Sequence, residues 1–428
     1  MAAMLITGRE ENEMIIDSKQ YDGVCSCGRT HKMETQFCVI ESGVLKNIST
    51  YMKQNGMRGY SVAVYDDNTY KATKDRHPQV DAQVILPAEN LHANEHGVEL
   101  LQEKLPKETE IIIAIGSGTI HDISRYCAYK KKLAFVSCPT AASVDGFCSS
   151  VAAMTWNGCK KTLTAVAPRI VVADLDIIKN APIRLAKSGF GDMVGKYVSL
   201  TDWKVGNLLT GEFYCDTIAE LTRQATENVL KSAEGIVSRD DKAYENLMCG
   251  LLLSGLAMQM IGNSRPASGA EHHISHFIEM NPPLIENSSD ALHGEKVGVG
   301  TLLAIKEYRR LASLPQPSYK DYEVFSPELI TSIFGAELAP GILEENRNDA
   351  AEQITAATLQ ANWNAICEVV CQLPDLKQLE DLYKELAVKS TLDEIGVSRD
   401  LEDVLLKYSP MVRNRLTLMR IRKCFELS

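Results

Sequence analysis

Histidine is scarce in this 428-residue chain, and five of its nine copies fall in three short motifs. SGAEHHISHF (268–277) holds His272, His273 and His276, ALHGEKVGVG (291–300) adds His293, and GSGTIHD (116–122) contains His121. On a helix His272 and His276 share a face, while His273 points elsewhere. GFGDMVGKY (189–197) places Asp192 on a helix expected to begin after two glycines. One carboxylate and two imidazoles form a ligand set for a catalytic divalent cation that keeps a position open for water or substrate. A hydrogen-bonded structural role is the plainer reading of any single histidine; their clustering beside glycine-rich segments favours a metal.

Three loops offer further chemistry. GSGTIHD follows the strand-like EIIIAIG and opens a helix, so its backbone can approach a diphosphate at a helix N-terminus. It lacks the Gly-Lys-Ser/Thr ending of a phosphate-binding Walker loop and the full six-residue dinucleotide fingerprint, so alone it is weak and an ordinary strand-to-helix turn is the plainer reading. CPTAASVDGFCSS (138–150) sets small residues and hydroxyls, with Asp145, after another strand, where ligands of open α/β sheets bind. YDDN (65–68) puts Asp66 where a ribose is held in dinucleotide folds, or in a simple turn. VCSCGRTH (24–31) offers Cys25, Cys27 and His31. Three ligands fall one short of a closed zinc site, and Cys38 or another chain is weighed as the fourth against a plain N-terminal hairpin.

Short β-branched runs at 60–66, 82–87, 110–116, 133–139 and 169–174 alternate with helical stretches over 94–105 and 120–132. That alternation implies a largely parallel sheet covered on both faces, and the apolar run 111–115 fits a central strand. From 183 on, 3.6-residue periods dominate, as over 213–236 and 379–396. The expected division is an α/β nucleotide-binding domain, 1–182, and an all-helical metal and substrate domain, 183–428, with the cleft between domains as the default site. Lys plus Arg number 45 against 56 Asp plus Glu, a net charge of −11, which argues against a general nucleic-acid binder. The apolar stretch 250–262 is too short to span a bilayer, the N-terminus does not read as a signal peptide, and the twelve cysteines read as reduced thiols of a cytoplasmic protein.

Taken in order, GSGTIHD, CPTAASVDGF, GFGDMVGKY, RPASGAEHHISH, ALHGEKVGVG and VRNRLTLMRI resemble the dehydroquinate synthase-like, iron-containing alcohol dehydrogenase superfamily over most of the chain. They are most similar to its bacterial glycerol-1-phosphate dehydrogenase branch. The resemblance implies an α/β dinucleotide domain followed by an all-α metal domain. It implies a metal on Asp192, His272 and His293, and a diphosphate region at Gly116, Ser117, Gly118, Thr119 and Asp122. Thr140 and Ser143 would face the cofactor, Asp66 the adenine ribose, and Asp145 the nicotinamide and substrate hydroxyls. Iron-type relatives place a further histidine one turn after the aspartate; here Lys196 stands there and cannot ligate while protonated. That pattern resembles the glycerol and glycerol-1-phosphate branches, with zinc expected and nickel also suited to imidazole.

The reaction so implied is NAD(P)-dependent hydride transfer between dihydroxyacetone phosphate and sn-glycerol 1-phosphate. Asp66 and Asp67 tilt the cofactor toward NAD rather than NADP. A phosphomonoester favours a cationic partner, for which Arg265 is the candidate and the pair Lys160 and Lys161 another. His276 is expected to meet substrate or relay a proton. A homodimer is the default assembly. The rival readings are a glycerol or other polyol dehydrogenase, a 3-dehydroquinate synthase-like lyase, and a catalytically silent nucleotide- or metal-binding relative.

Overall fold

The structure, a computed structural model, describes residues 14–17, 23–156, 159–314 and 317–426. Among the described residues, nine strands precede residue 175: β1 (Met14–Asp17), β2 (Phe37–Glu41), β3 (Ser61–Asp66), β4 (Ala82–Leu86), β5 (Ile111–Gly116), β6 (Ala134–Pro139), β7 (Val151–Trp156), β8 (Cys159–Thr164) and β9 (Ile170–Asp174). Seven form one sheet in the order β1-β2-β9-β6-β5-β3-β4. The β1–β2 pair is antiparallel and the other pairs are parallel, while β7 and β8 form a separate antiparallel hairpin.

Successive side chains of a strand leave opposite faces, and β5 is buried at every position. Ile112 and Ala114 join Val62, Val64, Val98, Leu101, Ile123 and Phe135 on one face. Ile111, Ile113 and Ile115 join Val39, Ala63, Val136 and Ile177 on the other. A strand without a polar face is thus explained by cover on both sides. The five strand-like runs read from sequence correspond to β3, β4, β5, β6 and β9; β1, β2 and the β7–β8 hairpin are additional.

Beyond Asp174 the described chain is helical apart from an isolated Tyr319–Phe425 bridge. It is an α/β region followed by an all-α region, as the element pattern implied. The helix that carries Asp192 corrects the expected start. It runs Ile183–Val194, so both glycines lie inside it and Asp192 falls in its last turn. Gly189 is there for proximity: a Cβ would stand 2.1 Å from the Ala142 carbonyl oxygen.

The chain forms two compact units, Met1–Met193 with Glu220–Asn263, and Val194–Ala219 with Ser264–Ser428. In the second unit, buried Asp202 ties four helices together. Its Oδ1 accepts from the Tyr308 hydroxyl (2.7 Å) and the Leu418 N–H (2.8 Å), and its Oδ2 from the Ala270 N–H (2.8 Å). Burial, with Glu271 nearby, pushes the Asp202 carboxyl up to about 7. The Ala270–Met280 and His293–Ala312 helices approach closely at Gly300, where a Cβ would lie 2.6 Å from the Glu271 carbonyl oxygen.

Candidate active site: a dinucleotide edge and a histidine cluster

In the first unit, β3 is followed in sequence by β4 on one side and then by β5 on the other. Such a reversal opens a crevice beyond the strands' C-terminal ends, where nucleotides bind in open α/β sheets. Asp66 ends β3, Gly116 ends β5, and Thr140 and Ser143 follow β6. The Gly118–Lys131 helix starts at this edge, and Ser117 at its N-cap makes no side-chain capping bond. Its first turn therefore presents N–H groups and the positive end of the helix dipole, the donor set a diphosphate requires.

Several residues of this edge also have structural duties. Asp66 Oδ1 accepts from the N–H groups of Asn68 (2.9 Å) and Thr69 (2.8 Å), capping the short Asp67–Ala72 helix. Thr140 donates its N–H to the Gly116 carbonyl at 3.0 Å, and the Ser188 hydroxyl bonds the Ser143 carbonyl at 3.3 Å. Asp122 lies 3.9 Å from the Arg125 guanidinium. Arg125 is fully buried and donates to the carbonyls of Phe147, Ser149 and Val151, holding the loop after Asp145 in place. His121 belongs to the scaffold: its ring nitrogens meet the Ser117 carbonyl (2.9 Å) and the Ser137 hydroxyl (2.8 Å). Burial and Arg125 push its imidazole down to about 3, so it stays neutral.

Asp145 and Asp192 are joined within this unit. The Asp145 N–H donates to Asp192 Oδ2 at 3.1 Å, and Asp145 Oδ2 accepts from the Ser254 hydroxyl at 2.8 Å. Asp192 is fully buried. A buried carboxylate is costly unless donors or a cation face it, so the position suits a ligand.

In the second unit, His272 and His293 face one another with ring centroids 5.3 Å apart, and His276 stands 5.8 Å from each. His272 Nδ1 lies 2.6 Å from Glu271 Oε1, and His293 Nδ1 lies 2.9 Å from Glu279 Oε1. Burial alone would push Glu279 up, but His293, His276 and Lys296 hold it well below the usual carboxylate range, so it is an anionic acceptor. Burial pushes Glu271 up to about 7. Carboxylates on both Nδ1 atoms direct the Nε2 atoms outward as ligands, the arrangement that orients metal-bound histidines elsewhere. The residues present therefore fit a divalent cation. His276, Glu279 and His293 also bring ligand atoms within 4.8 Å of one another, although Glu279 is already engaged with His293.

His273 is buried and, among the described residues, neither ring nitrogen has a hydrogen-bond partner, which agrees with its pointing away from the cluster. Burial lowers His276 to about 3 against the opposing charge of Glu279, with His272, His293 and Arg413 adding to the shift, so its ring is neutral. Arg265 is 5% exposed; Glu212 grips its Nε (2.6 Å) and Nη2, and its Nη1 donates to the Leu416 carbonyl (2.6 Å). Lys196 is buried and donates to the Ala267 carbonyl at 3.0 Å. Lys161 is exposed on β8, and the side chain of Lys160 lies outside the described residues. Glu271, Glu279 and Ser254 were missed in the sequence; the His276-to-Glu279 spacing of one helical turn was the available signal for one of them.

A parallel-edged nucleotide unit and a helical unit with a carboxylate-held histidine pair define a metal-dependent dehydrogenase scaffold. The family model described as iron-containing alcohol dehydrogenase matches residues 39–182. Solved structures of the NADH-dependent butanol dehydrogenase A of Thermotoga maritima (TM-score 0.59, 14% identity, 92% of this chain and 93% of that one) and the glycerol dehydrogenase of Schizosaccharomyces pombe (TM-score 0.51, 21% identity, 90% and 94%) share the fold. The glycerol-1-phosphate dehydrogenase [NAD(P)+] of Bacillus licheniformis is 32% identical over 422 residues, 96% of this chain and 94% of that protein. Its counterpart in Bacillus subtilis is 32% identical over 406 residues, 92% of each chain. The chain belongs to the glycerol-1-phosphate dehydrogenase family.

Proposed function

We infer that this chain is an NAD(P)-dependent glycerol-1-phosphate dehydrogenase, interconverting dihydroxyacetone phosphate and sn-glycerol 1-phosphate by hydride transfer. The observation that carries the metal-dependent part is the pair of histidines whose Nδ1 atoms are each held by a carboxylate. We propose Asp192, His272 and His293 as ligands of one divalent cation, zinc in the first instance and nickel as the alternative. When bound, the cation supplies Lewis acidity at the substrate's reacting oxygen and the dinucleotide supplies the hydride.

The chain's own residues do the rest. The first turn of the Gly118–Lys131 helix, with Gly116, Ser117, Thr119 and Asp122, holds the diphosphate; Thr140 and Ser143 line the cofactor path. Asp66 takes the adenine ribose, and with Asp67 disfavours a 2′-phosphate, so NAD is the preferred cofactor. Asp145, its carboxylate steadied by Ser254, orients a substrate hydroxyl. His276, its ring centroid 5.8 Å from those of His272 and His293, is the candidate to meet the substrate or relay its proton. Arg265, held flat by Glu212, is the candidate for the phosphate. No helix among the described residues is long and apolar enough to cross a membrane. The described cysteines form no disulfide with one another, which suits a reducing cytoplasm, and a homodimer is the assembly we propose.

Asp192→Asn tests the ligand set. It keeps the shape and the hydrogen bond from Asp145 but removes the charge. Bound metal should fall and turnover drop at least about a hundredfold, since Lewis-acid stabilisation is worth several kcal/mol. Unchanged metal content and turnover would dismantle the assignment.

A further inference from the structure

A second cluster of soft ligands lies at the N-terminal turn, and the reaction makes no use of it. Residues 24–31 close a tight hairpin: Val24 bridges Thr30, the Cys25 N–H donates to the Arg29 carbonyl (2.9 Å), and the Gly28 N–H donates to the Cys25 carbonyl (2.9 Å). Gly28 sits at φ +82°, which a side chain would resist. This turn gathers Cys25, Cys27 and His31, whose ligand atoms all lie within 4.8 Å of one another. Cys27 Sγ is 3.3 Å from His31 Nε2. With Zn–S near 2.3 Å, Zn–N near 2.05 Å and a tetrahedral angle, sulfur and nitrogen would sit about 3.6 Å apart. The observed pair needs only a few tenths of an ångström to admit the ion.

The imidazole is also set for the task. His31 is 7% exposed, and its Nδ1 meets the Met260 carbonyl at 2.9 Å. A carbonyl only accepts, so Nδ1 carries the hydrogen and the Nε2 lone pair faces the sulfur. The same anchoring continues beside it. The N–H groups of Glu34 and Thr35 donate to Gln259 Oε1 (2.9 and 3.2 Å), and Gln259 also bonds the Cys148 carbonyl, in the loop that follows Asp145.

We propose that Cys25, Cys27 and His31 bind a zinc ion through two thiolates and one imidazole, a soft donor set that suits this metal.

Cobalt substitution of the full chain tests this, because thiolate-to-cobalt charge-transfer bands in the near ultraviolet report sulfur ligands. The proposed catalytic set contains no sulfur, so such bands belong to the second site alone. The expected result is two metal equivalents per chain in the wild type, strong sulfur bands, and retention of those bands in Asp192→Asn. Cys25→Ser, with Cys27→Ser as a second variant, should lose one equivalent and the bands while the other equivalent stays. Absence of sulfur bands in the wild type, or recovery of Cys25 and Cys27 as a disulfide, would overturn the site.

Discussion

Glu279 is tied to His293 Nδ1 at 2.9 Å, and the charge on that carboxylate fixes which nitrogen of the ring is left to bind. Glu279→Gln keeps the size but can present its N–H₂ to the ring instead of an oxygen. Loss of such an orienting partner typically costs 10- to 100-fold in metal affinity, roughly the decrease expected here in competition with a chelator. An unchanged affinity would show that packing alone orients His293. At this scale the candidate ligands were legible because histidines are few and clustered. The carboxylates behind them were not, since Glu271 and Glu279 look like any glutamate on a helix until the rings are placed. His121 shows the converse: its motif looks chemical, and its environment makes it a strut between Ser117 and Ser137.

The Ile183–Val194 helix touches the 140–145 loop through Gly189, with no space for a methyl group against the Ala142 carbonyl. Gly189→Ala should therefore push helix and loop apart and destabilise the protein by roughly 1–3 kcal/mol, as overpacking does. A thermal unfolding curve checks the cost. Turnover should fall as well, because Asp145 and Asp192 lie on the two displaced segments; unaltered stability and turnover would mean that the loop yields freely. The central strands were readable from their unbroken apolar runs. The helix starts earlier than its glycines suggest, because glycine here permits a close crossing and does not break the helix. β1 and β2 are four and five residues long and gain definition only by pairing, β2 with the remote β9. The β7–β8 hairpin likewise gains definition by pairing, from Val151 with Thr164 to Trp156 with Cys159.

Across the second unit, Arg420 and Asp349 form an ion pair with 0% and 2% of their side chains exposed. Arg420 also donates to the carbonyls of Pro410 (2.7 Å) and Arg413 (3.0 Å), and Asp349 accepts from the Tyr322 hydroxyl (2.9 Å). Burial pushes Asp349 up, but Arg420 outweighs it and the carboxyl ends below its ordinary value. A depressed native value means that this stabilisation is complete above the unfolded pKa of about 3.9 and is lost as pH falls through the lower native one. Between pH 5 and 8 it should contribute a constant amount. Asp349→Asn leaves the guanidinium buried without its counter-charge and should cost about 3–5 kcal/mol at pH 7, read by urea unfolding. The penalty should shrink in strong acid, and an equal penalty at every pH would refute the electrostatic origin. Composition disclosed none of this. Nor does a helical stripe say which neighbours it covers: Glu220–Asn263 belong with the α/β unit, and only long-range packing decides that.

The most direct measurement is NAD reduction by the purified, metal-loaded protein with sn-glycerol 1-phosphate, sn-glycerol 3-phosphate and free glycerol at equal concentrations, repeated with NADP and after chelation. The expected result is turnover of sn-glycerol 1-phosphate alone, faster with NAD than with NADP, abolished by the chelator and restored by a divalent cation. Preference for free glycerol would remove the phosphate from the account and Arg265 from the site. Turnover that survives chelation would contradict the metal-dependent mechanism itself.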